Sequence, residues 1–159
     1  MTDPMDALVQ FQAAFEARYI PVQAGRLDPT ILVAPDRPNG RPRFNFMRAQ
    51  GDTLTVLVMF AQNGLEGGYP VFNIGYAVAD DYRGHGLAKS TLVAGLAELS
   101  AGLAGADIPV IQVEAVISPD HLVSQAVARA IFDAKPKPIT DSVSGEPALH
   151  YSRTVSHRR

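Results

Sequence analysis

The sequence has 159 residues, of which 47% are hydrophobic and 19% are charged, and we expect a single domain over residues 1–159 with a sizeable apolar core. Its net charge of −2 argues against bulk binding of nucleic acid and against attachment to an anionic membrane surface. The chain has no cysteine, which excludes disulfides, thiolate metal sites and a cysteine nucleophile.

The first part of the chain predicts one helix followed by a proline-rich stretch. Asp3 and Pro4 are residue types that cap and begin a helix, and apolar residues then recur every three or four positions as far as Tyr19. We therefore expect an amphipathic helix over residues 4–19 that covers a sheet. A short strand at residues 30–34 and a surface loop at residues 35–42 should follow.

From residue 43 the pattern predicts three antiparallel strands joined by short turns. Residues 43–47 and 53–60 form a hairpin, and the second of these strands is apolar on both faces and therefore central. Asn63-Gly64 and Gly67-Gly68 should each break the chain before the third strand. That strand, residues 72–78, alternates apolar and small or polar side chains.

The second half alternates helices and strands. A helix is expected over residues 86–104, then a buried strand over residues 109–117, parallel to the third meander strand across a right-handed crossover. A second helix should begin at residues 118–120 and end at Pro136. Its expected apolar side is Leu122, Val123, Ala126, Val127, Ala130 and Ile131. A terminal hairpin turns at residues 144–147, and residues 156–159 should fray.

A glycine-containing turn joins the third meander strand to the long helix. It begins at Asp80 and ends in Arg83-Gly84-His85-Gly86, directly before the helix. The first N–H groups of a helix lack a partner within the helix, and the helix dipole favours an anion. Such a turn is therefore suited to hold a phosphate group.

Two common phosphate-binding turns fit these residues poorly. A P-loop requires glycines where this chain has Arg83 and Ala88, although Lys89-Ser90 matches its end. A dinucleotide-binding turn requires a third glycine where Lys89 stands. The antiparallel meander before the turn argues against both, because those folds place a parallel βα unit there.

The segment RGHGLA, Arg83 to Ala88, instead matches R-x-x-G-x-[GA] and resembles the pyrophosphate-binding motif of the GNAT acetyltransferase superfamily. Residues 75–82 also resemble that family's strand and turn leading into the motif. The order of predicted elements over residues 43–155 resembles the GNAT fold, an α/β (α+β) fold with a mixed sheet flanked by helices. The family's usual first strand and paired early helices are compressed or missing in residues 1–42.

The resemblance implies that acetyl-coenzyme A binds where the third meander strand and the next parallel strand part. Its pantetheine amides would pair with the backbone near Ala77, Val78 and Ala79. Ser124 would contact the pantetheine, and a helix-surface serine is the equally weighted alternative. The residues implied for the pyrophosphate are Arg83, Gly84, His85, Gly86, Leu87, Ala88 and Lys89.

The residues expected to transfer protons depart from the family pattern. His121 stands where the family has asparagine, and Ala128 where it has the tyrosine that usually protonates the leaving thiolate. Tyr151 is the candidate substitute acid. Asn73 stands where the family often has its basic glutamate, so Glu114, in the otherwise apolar strand, becomes the candidate general base. A salt-bridged strand carboxylate is the alternative interpretation of Glu114.

The resemblance implies an N-acetyltransferase in which a small-molecule or peptide amine attacks the thioester directly and backbone N–H groups stabilise the oxyanion. A non-catalytic acyl-coenzyme A binding or sensing domain is the alternative, favoured by the missing tyrosine. No metal site is predicted, and the acceptor and a homodimeric state are left open. The sequence contains no apolar run of about 18 residues, so no membrane span is predicted. Its acidic N-terminus is unlike a secretory signal, so a cytoplasmic location is expected.

Overall fold

The computed structural model describes residues 3–157. Residues 1 and 2 of the expected domain, and residues 158 and 159 of the end expected to fray, lie outside the described residues. The helices are α1 (Pro4–Glu16), α2 (Leu87–Gly105) and α3 (Leu122–Ile131). The strands are β1 (Gln23–Ala24), β2 (Leu32–Val33), β3 (Arg43–Gln50), β4 (Thr53–Glu66), β5 (Tyr69–Val78), β6 (Val110–Ile117), β7 (Lys137–Thr140) and β8 (Pro147–Ser156).

These strands form one mixed sheet in the order β1-β2-β3-β4-β5-β6-β8-β7. Among the described strands, β5 and β6 pair in parallel and every other neighbouring pair is antiparallel. The predicted meander, the parallel strand after the crossover and the terminal hairpin are all confirmed. The predicted fold class, a mixed sheet flanked by helices, is therefore correct.

Helix α1 begins where its capping residues predict. The Asp3 carboxylate accepts the Met5 N–H at 2.8 Å, and Ala7, Leu8 and Phe11 are buried on one face of the sheet. The helix ends at Glu16, earlier than expected, because Arg18 adopts a left-handed conformation (φ 58°) that turns the chain away.

Strand β4 is the centre of the core. Residues 54–60 are all buried, with Leu57 and Met59 packed on the α1 side and Val58 on the α2 side. Gly95 of α2 packs closely against the neighbouring strand β3, since a Cβ there would come within 3.1 Å of the Phe46 ring. The glycine that weakens the helix in isolation thus permits its close approach to the sheet.

The break predicted at Asn63-Gly64 is wrong. Strand β4 continues to Glu66, and its register with β5 shifts between Gln62 and Leu65, where Gly64 has a φ of 75°. An extra residue in one strand is absorbed as a bulge without ending the pairing. The chain reverses only at Gly67-Gly68, where both glycines have positive φ.

Helix α2 has a mean hydropathy of 1.2 over 18 residues and is, by length and composition, apolar enough to cross a membrane. The sequence predicts no membrane span, because Lys89 and Glu98 interrupt the apolar run. These two charges leave the mean hydropathy of the helix at 1.2. Leu92, Leu96 and Leu99 of this helix are buried in the core beside the sheet.

Helix α3 buries only part of the predicted apolar side, since Ile131 is buried and Val127 packs against the core. Leu122 and Val123 are 71% and 70% exposed, Ala126 is also exposed, and the buried residues are Ser124, Ala128 and Ile131. Apolar residues occupy both sides of this short helix, so their spacing did not identify the packed side. The helix ends at Ile131, before Pro136, and Pro138 lies within β7.

A buried carboxylate joins α2 to the N-terminal stretch. Glu98, 9% exposed, accepts the backbone N–H groups of Arg26, Leu27 and Asp28 at 3.0, 2.6 and 2.8 Å. Gly25 precedes this loop, and a Cβ there would come within 2.4 Å of the Asp28 carbonyl oxygen. The loop therefore closes tightly around one side chain.

We expect Glu98→Gln to lower the free energy of unfolding by about 1–3 kcal/mol, because the amide group replaces one acceptor oxygen by a donor that faces backbone N–H groups. Urea denaturation followed by circular dichroism measures this. Glu66→Gln, at an exposed position, is the matched control and should change little. Equal midpoints for the two variants would show that the three hydrogen bonds contribute nothing to stability.

Candidate active site

The sheet opens between its two parallel strands. β5 and β6 pair only where Val71, Phe72 and Asn73 lie beside Gln112, Val113 and Glu114. Beyond this point β5 continues to Val78 and β6 to Ile117, and their described residues no longer pair with each other. Each strand keeps its other neighbour, β4 or β8, so the opening lies inside the sheet.

The backbone of β5 offers hydrogen-bonding groups to this opening. Ala79 donates its N–H to Thr55 at 2.9 Å, and its carbonyl oxygen accepts from Tyr82 at 2.9 Å. Groups in an antiparallel ladder alternate in direction, so Ala77 also points to β4, and the backbones of Tyr76 and Val78 point to the opening. Of the three predicted pantetheine contacts, only Val78 therefore directs its backbone there, and Tyr76 joins it.

A cavity of about 260 Å³ occupies the opening, and its wall comes from both faces of the sheet. Tyr76, Ala128 and Ser124 belong to the α2 and α3 side, whereas Pro4 belongs to α1. The remaining wall residues are Ile74, Gly75, Leu92, Ala115, Val116, Ile117, His121, Val127, Ile131 and Phe132. The cavity is therefore mostly apolar, with few polar side chains.

Two hydroxyl groups meet in the wall of this cavity. The Tyr76 hydroxyl, from β5, lies 2.9 Å from Ser124 Oγ, from α3. Ser124 is only 8% exposed, so the interpretation as a helix-surface serine is wrong. Its contact with pantetheine stays a prediction. No local sequence signal links these hydroxyls, because the two residues are 48 positions apart.

The glycine turn lies at the end of β5, on the side where the sheet opens. Gly84 and Gly86 have φ values of 81° and 73°, which side-chain-bearing residues rarely adopt. A Cβ at either position would meet no atom within 4 Å, so the space in front of the turn is open. The first hydrogen bond of the helix runs from the Ser90 N–H to the Gly86 carbonyl oxygen. The N–H groups of the residues before Ser90 therefore have no partner within the helix.

The charged residues of the turn are on the surface. Arg83 pairs with Asp80 at 3.0 Å and donates from Nε to the Val78 carbonyl at 3.3 Å, while its side chain remains 59% exposed. His85 and Lys89 are exposed. Arg83 is thus held against the end of β5, and Lys89 projects from the first turn of α2.

The candidate base Glu114 lies within hydrogen-bond distance of a histidine beside the cavity. Its Oε2 lies 3.1 Å from His150 Nε2, and the side chains are 19% and 28% exposed, respectively. His150 is the cross-strand partner of Val116, which lines the cavity. Glu114 is therefore held by a side-chain partner, which is a salt bridge only when His150 is protonated, and its role as base stays a prediction.

The candidate acid Tyr151 lies in the core. It is 3% exposed, its ring centroid is 5.5 Å from that of Phe132, and it is not among the residues of the cavity wall. Ala128 does line the cavity but carries no proton donor. Within residues 3–157 no group of three or more histidine, aspartate or glutamate side chains could hold a metal ion.

Solved structures share this fold. The chain matches RimJ of Mycobacterium smegmatis, solved with CoA-disulfide, with a TM-score of 0.55 and 21% identity over 73% of this chain and 54% of that one. It matches the ribosomal-protein-S5-alanine acetyltransferase of Vibrio fischeri with a TM-score of 0.57 and 15% identity over 74% and 63%. A GNAT-family acetyltransferase of Streptococcus pneumoniae matches with a TM-score of 0.55 and 6% identity over 72% and 67%.

The chain has the GNAT acetyltransferase fold. The resemblance of its element order to that superfamily is thereby confirmed at the level of the fold, and the pyrophosphate-binding role of its glycine turn stays a prediction. The aligned part spans little more than half of the RimJ chain, at 54%. No protein-family model and no curated protein sequence matches this chain.

We expect Gly86→Val to abolish coenzyme A binding without unfolding the protein. A β-branched side chain is disfavoured at this positive φ and would project into the open space where a pyrophosphate is expected. Isothermal titration with coenzyme A measures binding, and far-UV circular dichroism measures folding. Gly64→Val is the matched control, since Gly64 has a φ of 75° and equally open space far from the turn. Normal coenzyme A binding by the Gly86 variant would show that the pyrophosphate does not bind at this turn.

Proposed function

We propose that the protein transfers an acetyl group from acetyl-coenzyme A to an amine acceptor. One observation carries the proposal, the stretch in which β5 and β6 run on without pairing and enclose a cavity lined from both faces. A narrow acyl-pantetheine chain can enter such an opening and pair with strand backbone, while its thioester stays accessible from the opposite face. The RimJ structure with the same fold was solved with CoA-disulfide, which supports a coenzyme A ligand here.

The residues around the opening suit this ligand. The open space before Gly84 and Gly86 and the N–H groups at the start of α2 suit a pyrophosphate. The backbones of Tyr76 and Val78 and the Ser124 side chain would hold the pantetheine, and the apolar cavity wall would exclude water from the thioester. Acetyl-coenzyme A supplies the activated acetyl group, and the protein orients it.

The departing thiolate requires a proton, and the cavity wall contains a hydroxyl pair that could provide it. Tyr76 and Ser124 lie 2.9 Å apart in the wall, whereas Tyr151 is buried against Phe132 outside it. A hydroxyl that shares its proton with a neighbour can donate one and be replenished through that neighbour. We therefore assign the proton-donating role to Tyr76, supported by Ser124, in preference to Tyr151.

Tyr76→Phe should lower turnover by up to about 10²-fold, because it removes the donor and keeps the ring. Tyr151→Phe is the matched control and should retain turnover close to that of the unmodified protein. Release of free thiol from acetyl-coenzyme A with an accepting amine measures both. A larger loss of turnover in the Tyr151 variant would make Tyr151 the proton donor. No loss of turnover in either variant would show that solvent protonates the thiolate.

Coenzyme A should stabilise the fold more than ATP or NAD does. A ligand at 100 times its Kd adds about 2.7 kcal/mol, which raises the melting temperature of a domain of this size by about 5–10 °C. Differential scanning fluorimetry with the three ligands at equal concentration measures this. Equal shifts from ATP or NAD would contradict the ligand assignment.

A non-catalytic acyl-coenzyme A sensor is the second candidate, favoured by Ala128 in the cavity wall, where a side chain without a proton donor faces the site. A panel of small amines and peptides with free N-termini separates the two functions. Thiol release with any member supports transfer. Stabilisation by acetyl-coenzyme A together with no release across the whole panel would support the sensor.

A further inference from the structure

We propose that His150 is the general base that accepts the proton of the acceptor amine, and that Glu114 is a positioning residue for its imidazole. This inference rests on the acetyl-transfer function proposed above and names a group that acts in it. The argument depends on the contact between these side chains, on their place beside the cavity and on the surrounding polar groups.

The contact fixes one nitrogen of the imidazole. Glu114 Oε2 lies 3.1 Å from His150 Nε2. A carboxylate accepts hydrogen bonds, so it favours the form of the ring that carries its proton on Nε2. The Nδ1 atom then holds the lone pair. In the described part of the chain, His150 has no side-chain hydrogen bond besides this one.

The pair lies on the side of the sheet opposite Tyr76 and Ser124. Val116 and His150 are cross-strand partners, so their side chains project from the same face. Val116 lines the cavity together with Pro4 of α1. His150 is therefore one strand away from the cavity wall, and in the proposed reaction its imidazole would take the amine proton directly or through one water molecule.

The burial of the pair suits a positioning role for Glu114. Its side chain is 19% exposed and that of His150 is 28% exposed, so the imidazole is the more accessible group. Glu114 lies on β6 between Asn73 of β5 and Ser152 of β8, at the last pair before the opening, and its carboxylate is turned to the imidazole. A carboxylate that holds one ring nitrogen leaves the other nitrogen to act on the substrate.

The reaction balances with this base. The amine nitrogen forms the C–N bond with the thioester carbonyl carbon, and its proton passes to His150 Nδ1. The C–S bond breaks, its electron pair leaves with sulfur, and the thiolate takes a proton from Tyr76 or from solvent. The imidazolium then returns its proton to solvent, and Tyr76, where it was the donor, regains a proton from solvent through Ser124.

The test compares His150→Gln, Glu114→Gln and the double variant with the unmodified protein. We expect His150→Gln to lower kcat by about 10²-fold or more with little change in the KM for acetyl-coenzyme A. Glu114→Gln should lower kcat less. The double variant should be no slower than His150→Gln alone, because both changes remove one function. His157→Gln, beyond the end of β8, is the matched control and should retain full turnover.

The pH profile separates a base from a structural residue. The unmodified rate should rise with pH and reach a plateau, and this rise should disappear in His150→Gln and persist in Glu114→Gln. The charged groups beside His150 in the sheet are Glu114 on β6 and Lys137, opposite it on β7. Lys137→Met is therefore measured in parallel, and it should shift the profile without removing it.

Several results would overturn the inference. A Glu114→Gln variant slower than His150→Gln would make Glu114 the base, and additive losses would show two independent roles. If His150→Gln no longer shows the melting shift with coenzyme A, His150→Asn takes its place in the comparison. Failure of the unmodified protein to release thiol with any amine would remove the proposed function. Release that is unaffected in the His150 variants would remove only this inference.

Discussion

The separation of β5 from β6 is the constraint on which the rest of the site depends. Strand edges without partners leave backbone N–H and C=O groups that need other acceptors and donors. Here the unpaired edges begin after Asn73 and Glu114, in the middle of the sheet, where no further strand can reach them. Helices α2 and α3 cover one side of the opening and α1 reaches the other, so the gap remains as a cavity. A fold that paired these strands to their ends would have no such cavity.

The two faces of the sheet carry different chemistry at this opening. The hydroxyls of Tyr76 and Ser124 lie on the side of α2 and α3, where the glycine turn also begins its helix. The carboxylate of Glu114 and the imidazole of His150 lie on the other side. This division follows from strand alternation, because neighbouring residues of β5 and β6 project to opposite faces. Acetyl transfer, the proposed function, requires removal of a proton from one reactant and delivery of a proton to the other, and we assign one of these steps to each pair.

Much of the fold could be predicted because its causes are local. Alternation over residues 72–78 arises because large side chains of β5 pack on the α2 side of the sheet and small ones on the α1 side. Gly84 and Gly86 mark backbone conformations that other residues avoid. The site could be predicted only in part. The point where two strands cease to pair leaves no mark in either strand, and Glu114 and His150 are 36 positions apart. The packed side of α3 could not be predicted for a related reason, since the exposed residues Leu122 and Val123 are as apolar as the residues that pack.

A crystal structure of the protein with bound coenzyme A tests the central claim most directly. Electron density for the pantetheine should run between β5 and β6 beside Tyr76 and Val78, with the pyrophosphate at Gly84 and Gly86. The thiol should end near the Tyr76 and Ser124 hydroxyls. Coenzyme A bound elsewhere on the surface, with the opening between these strands empty or closed by pairing, would contradict the account.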